Sequence, residues 1–196
     1  MLLLTGADGE PCALHDFGGD GPPLLLTHGN GLNAGMWATV VPVLRKHRQC
    51  FGLDFRGHGA SRINQPPLDV DRSRLVDEIL NAVAAIGNDQ IDAVGHSLGG
   101  ATLIRTELEN PGTFRRLWLF EPVMVPDGHE RPAGDHPLVE AARRRRTEFS
   151  SLEDFIERLL SKAPFGGCEE TAVRAYAELG TYSSGDGVRL SCSGDT

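Results

Sequence analysis

Residues 91–101, IDAVGHSLGGA, run from a short apolar stretch into Ser97, with Gly95 and Gly99 two positions to either side, and then into small residues that open a helix. A strand ending this way must be followed by a helix lying close to it, because only small residues let the two backbones approach. Short apolar runs and helix-period segments alternate through much of the chain. Pro23–Thr27, Gln49–Asp54, 91–94 and 117–120 read as strands, and 2–4 with 12–16 as a hairpin around Ala7, Asp8 and Gly9. Val76, Ile79, Leu80 and Val83 share one helical stripe, and 98–109 form a helix stopped by Asn110, Pro111 and Gly112. Residues 36–46 read as helical, with Pro42 disturbing the boundaries. Strands alternating with helices predict an α/β fold, a mostly parallel twisted sheet with helices on both faces.

The character changes after Pro122. A polar linker rich in proline and glycine leads into helical stretches expected at 137–149, 152–162 and 169–179. The second of these has a capping-box start, Ser150 with Glu153, and an apolar stripe at Leu152, Phe155, Ile156, Leu159 and Leu160. The expected organisation is a core over 1–122, a helical cap over 123–190 and a tail, or point of truncation, at 191–196. Arg143–Arg146 read as a solvated helix face.

Several classes of function are disfavoured. The formal net charge of −8 argues against nucleic acid as a partner. No stretch approaches the roughly 20 apolar residues of a membrane span. Cys12, Cys50, Cys168 and Cys192 are scattered without ligand spacing, which fits reduced thiols in a cytoplasmic protein and no metal. Asp54, near Asp69 and Asp71 in sequence, reads as a residue bonding its own loop rather than a metal ligand. Oligomeric state is not set by the sequence.

A serine at a strand-to-helix turn projects above the sheet edge, where the Leu98 N–H at the helix start can stabilise an anion. The second half of such a site lies at 24–31, LLLTHGNG, where a buried strand ends in a loop whose Asn30 N–H would approach from the opposite side. Acyl transfer needs both donors, because charge develops on the carbonyl oxygen in the tetrahedral state.

THGN…MW at 27–37, LDFRGHGASR at 53–62, AVGHSLGGA at 93–101 and LFEPV at 119–123 follow one another with the order and spacing of a known family. The chain resembles the α/β-hydrolase superfamily over residues 20–123, in particular its branch with a helical cap after the sixth strand. The resemblance implies Ser97 as nucleophile, an oxyanion hole formed by the Asn30 and Leu98 N–H groups, and His58 as a turn residue. It also implies no cofactor. Haloalkane dehalogenases and epoxide hydrolases carry aspartate at the elbow, so Ser97 sets their alkyl-enzyme chemistry aside. Ester, thioester, amide and carbon–carbon bond hydrolysis remain, as does cofactor-free perhydrolase or haloperoxidase chemistry.

In this family the acid and then the histidine follow the serine in sequence. Glu121 stands where some capped members place the acid; others place it after the next strand. His15, His28, His47, His58 and His96 precede Ser97, and only His129 and His136 follow it, both in the linker. The expectation is therefore a fold lacking its last strands, with 117–120 as an exposed edge and no base encoded in this chain. The function expected is hydrolysis of a small ester or related acyl compound through an acyl-enzyme. The alternative is a catalytically dead truncated fragment that binds a ligand or partner or has no function.

Overall fold

Alternation along each strand decides which layer a residue serves. In the computed structural model, which describes residues 1–6, 8–63, 72–87, 90–124, 142 and 144–192, six strands form one sheet. They are β1 (Leu2–Thr5), β2 (Pro11–Gly18), β3 (Pro23–Thr27), β4 (Gln49–Asp54), β5 (Ile91–His96) and β6 (Phe114–Phe120). Their order is β1-β2-β4-β3-β5-β6. The β1–β2 and β2–β4 pairs are antiparallel, while β4–β3, β3–β5 and β5–β6 are parallel. This is the mixed, largely parallel sheet that the alternating pattern predicts.

Leu25, Phe51, Leu53, Ile91 and Ala93 face one side of the sheet, where they pack with Leu75, Ile79, Ala82 and Leu103 of α2 (Arg72–Ile86) and α3 (Leu98–Glu109). Leu24, Leu26, Cys50 and Val94 face the other side, under Trp37 and Val41. The 36–46 stretch is not one helix. It divides into a 3-10 turn at Ala34–Trp37 and a single α turn, α1 (Val41–Leu44), with Pro42 in the first turn. Proline tolerates only that position, because it has no N–H to donate to a preceding turn. The charge buried on β5, Asp92, is paired with Arg48 at 2.6 Å and Arg115 at 2.7 Å, which offsets its desolvation.

Residues 144–192 build a second layer with its own apolar cluster: Phe149, Phe155, Ile156, Val173, Tyr176, Ala177 and Leu190. Helices α4 (Leu152–Leu160) and α5 (Glu170–Gly180) match the two later helical stretches. The first expected stretch holds only in part where it is described: Ala142 is helical, but 144–147 are non-helical and Glu148–Phe149 is a short strand, β7. Strands β8 (Thr181–Ser184) and β9 (Gly187–Leu190) complete an antiparallel sheet in the order β7-β9-β8. The start of α4 is shifted by one residue from expectation. Ser151 has the extended backbone a cap requires, and its Oγ accepts from the Asp154 N–H at 3.0 Å. The arginine run is also not a uniformly solvated face, because Arg145 is half-buried and turned onto Tyr176 and Gly31.

Candidate active site

Ser97 sits between β5 and α3 at φ 51° and ψ −112°. That region is costly for a residue with a Cβ and is held only when its surroundings over-determine it. They do so here. The Ser97 N–H donates to the Phe120 carbonyl at 2.9 Å, and the Ser97 carbonyl accepts from the Ala101 N–H at 3.0 Å. A Cβ at Gly95 would lie 2.7 Å from the backbone of Gly100, and one at Gly99 would lie 2.6 Å from Thr27 Oγ1. The flanking glycines therefore serve close approach, while the serine itself carries the positive φ. The Gly99 N–H donates to the His28 carbonyl at 3.1 Å, which ties the helix start to the loop after β3. Among the described residues the Leu98 N–H has no acceptor, so it stays available at the N-terminus of α3.

The loop after β3 is fixed from below. Phe55 donates its N–H to His28 Nε2 at 3.0 Å, so the His28 proton sits on Nδ1, which donates to the Gly29 carbonyl at 2.8 Å. Burial, with His58 alongside, pushes the His28 pKa down to about 3 and keeps the ring neutral. His58 likewise accepts from the Gly31 N–H at 3.0 Å and makes a 2.8 Å bond to the Arg56 carbonyl through Nδ1. It is a turn residue, as the resemblance implies. Asp54 accepts from the Ala34 and Ala60 N–H groups at 2.7 and 2.9 Å and pairs with His15 at 2.7 Å. Burial opposes its charge, yet these hydrogen bonds hold its carboxyl below the usual range. The result is a rigid loop whose Gly29 lies against the end of β5: a Cβ there would be 2.7 Å from His96 Nδ1 and 3.2 Å from Ser97 Cβ. Among the described residues the Asn30 N–H, like that of Leu98, has no acceptor.

Glu121 lies one residue beyond β6, and its backbone is strained as well, with φ 44°. Ser97 and Glu121 are the two non-glycine residues with positive φ among those described, and they follow the paired residues His96 and Phe120 on adjacent strands. The strain at Glu121 leaves no trace in the sequence. Its carboxylate is exposed and makes no hydrogen bond or ion pair among the described residues. No described side chain hydrogen-bonds to Ser97 Oγ, and His129 and His136 lie outside the described residues. A separate apolar cavity of about 560 Å³ lies between α1 and β6, lined by Met36, Trp37, Val40, His96, Trp118 and Phe120; Ser97 is not in its wall. Among the described residues no group of three or more His, Cys, Asp or Glu is gathered to hold a metal, and no helix is long and apolar enough to cross a membrane.

The model of the alpha/beta hydrolase family matches residues 24–192, which takes in both the elbow and the later layer. The chain belongs to that family. Human protein phosphatase methylesterase 1 is 35% identical over 98 residues, which cover 47% of this chain and 25% of that protein. The 2-hydroxy-6-oxo-2,4-heptadienoate hydrolase of Pseudomonas putida is 33% identical over 176 residues, 83% of this chain and 61% of the enzyme. The crystal structure of E-2-(acetamidomethylene)succinate hydrolase superposes with a TM-score of 0.74 at 21% identity, covering 99% of this chain and 69% of that one. The chain thus spans between a quarter and about three fifths of the length of these two curated relatives.

Proposed function

We propose that this chain is a cytoplasmic serine hydrolase acting on a small ester or related acyl compound, with Ser97 as its nucleophile. The observation that carries the reading is the strained Ser97, at φ 51°, packed against the Gly29 end of the loop after β3, with the Leu98 and Asn30 N–H groups lacking an acceptor among the described residues. Ser97 Oγ attacks the acyl carbonyl carbon, and the carbonyl oxygen takes up negative charge between the two amides. Collapse of that intermediate expels the alcohol and leaves an acyl ester on Ser97, which water then hydrolyses. Glu121, next to the elbow, is the proposed acid. Residues 1–122 act as the core and 123–190 as the cap over it. The relatives named as a methylesterase and a heptadienoate hydrolase fit a small acyl substrate.

The proton of Ser97 needs a base, and His129 and His136 are the two histidines that follow the serine. The absence of any described side chain on Ser97 Oγ favours a second reading, in which the chain binds an acyl ligand without turning it over. Incubation with p-nitrophenyl acetate separates the two. A hydrolase releases nitrophenol and, on acid quench, carries an acetyl group on the peptide containing Ser97, and Ser97→Ala does neither. Release at equal rates from wild type and Ser97→Ala would contradict the assignment of Ser97.

A further inference from the structure

Helix α5 contributes no residue to the elbow, yet its Tyr176 reaches the loop that holds Asn30. The Tyr176 ring is buried, stacked on Phe165 with centroids 5.2 Å apart and tilted against Phe155 at 6.2 Å. Its hydroxyl donates to the Gly31 carbonyl at 2.9 Å and accepts from Arg145 Nη2. Arg145 Nη1 reaches the same carbonyl at 3.5 Å. The main chain of α5 is pinned to this loop independently: Asn33 Nδ2 donates to the Tyr176 carbonyl at 2.9 Å, and a Cβ at Gly35 would meet the Ala175 carbonyl at 2.4 Å.

Two peptide planes connect that hydroxyl to the Asn30 N–H. The Gly31 carbonyl belongs to the same rigid peptide as the Leu32 N–H, which donates to the Gly29 carbonyl at 3.1 Å. The Gly29 carbonyl in turn shares its peptide with the Asn30 N–H, pointing the opposite way. Holding Gly31 therefore fixes the direction in which Asn30 presents its donor. Gly31 is at φ +75°, where glycine moves most freely, so without outside contacts this peptide would be the soft point of the loop.

From this relay we propose that Tyr176 is a positioning residue for the oxyanion hole, set from the layer that covers the core. The proposal rests on the reading of Ser97 and Asn30 given above. An oxyanion donor acts only when aimed at the developing charge, and losing one costs roughly 10²–10³ in rate. Releasing its aim through Tyr176→Phe, which keeps the ring and its stacking, is expected to lower the rate by about tenfold or more.

The test is inactivation by a fluorophosphonate, whose phosphoryl oxygen takes the oxyanion position, with affinity and maximal rate measured separately on wild type, Ser97→Ala, Tyr176→Phe and Arg145→Gln. The expected result is a maximal rate at least about tenfold lower in Tyr176→Phe, with unchanged apparent affinity and a near-native thermal midpoint. A merely structural tyrosine would shift the midpoint and leave the maximal rate of the folded protein unaltered, which overturns the proposal. Should Tyr176→Phe fail to fold, Arg145→Gln carries the test: a lowered maximal rate supports the relay and an unchanged one overturns it. Absence of labelling in wild type, or labelling of Ser97→Ala, overturns the underlying reading of Ser97 and the relay with it. Labelling confined to Ser97 and equally fast in all the other variants overturns the relay alone.

Discussion

At the scale of single residues, the elbow is a place where backbone geometry is fixed before any chemistry. Gly95 faces Gly100 across a gap that a methyl group would close to 2.7 Å, with backbone rather than a flexible side chain on the far side. Gly95→Ala is therefore expected to cost about 1–3 kcal/mol, the usual range for overpacking a well-filled site. Denaturant unfolding measures this, and an unchanged midpoint would mean that the strand and helix separate easily. His28 gives a different signature. Its folded pKa of about 3 lies below the ordinary 6.5, so the unfolded chain binds its proton first. The corresponding stability is complete above pH 6.5 and drains as the pH falls from there towards 3, at up to about 1.4 kcal/mol per unit. Thermal midpoints taken between pH 7 and 4.5 should fall, and they should fall less steeply in His28→Asn, which has lost the titrating ring. Equal slopes would place the acid sensitivity elsewhere.

At the scale of elements, what was legible in the sequence depended on periodicity and what was not depended on tertiary context. Strand Gln49–Asp54 and helix Leu98–Glu109 were readable to the residue, because an apolar run and a helical stripe each end at a turn signal. The β8–β9 hairpin was missed, although Gly185 and Asp186 form a two-residue loop between paired Ser184 and Gly187. Its strands are short and polar, so composition alone gave them no weight, but a glycine-aspartate pair between β-favouring runs was the available signal. Gly185 lies at φ +57°, and Gly185→Ala is expected to cost about 1 kcal/mol, read by thermal unfolding against wild type. The candidate site was legible in part. Ser97, Leu98 and Asn30, the residues proposed for it, stand in a motif whose backbone logic is local. The hold of Tyr176 on Gly31 bridges 145 residues and leaves no mark in either segment.

At the scale of the whole molecule, one side of the sheet is covered unevenly. Trp118 is 43% exposed and Phe120 55% exposed on the face that they share with the open cavity beside α1. β6 is also the end strand in the sheet order, so its outer hydrogen-bonding groups have no sheet neighbour among the described residues. Edges of this kind template association unless a charge interrupts them. Trp118→Lys is expected to reduce concentration-dependent self-association in sedimentation velocity, with the thermal midpoint little changed; equal association would show that this face does not drive it. Family membership defines the scaffold, whereas the proposed reaction rests on one serine. The most direct test is intact-mass spectrometry after exposure of the folded chain to a fluorophosphonate, with the adduct mapped by peptide sequencing. The account predicts a single adduct on Ser97 that is lost in Ser97→Ala; a folded protein that stays unlabelled, or is labelled elsewhere, would contradict it.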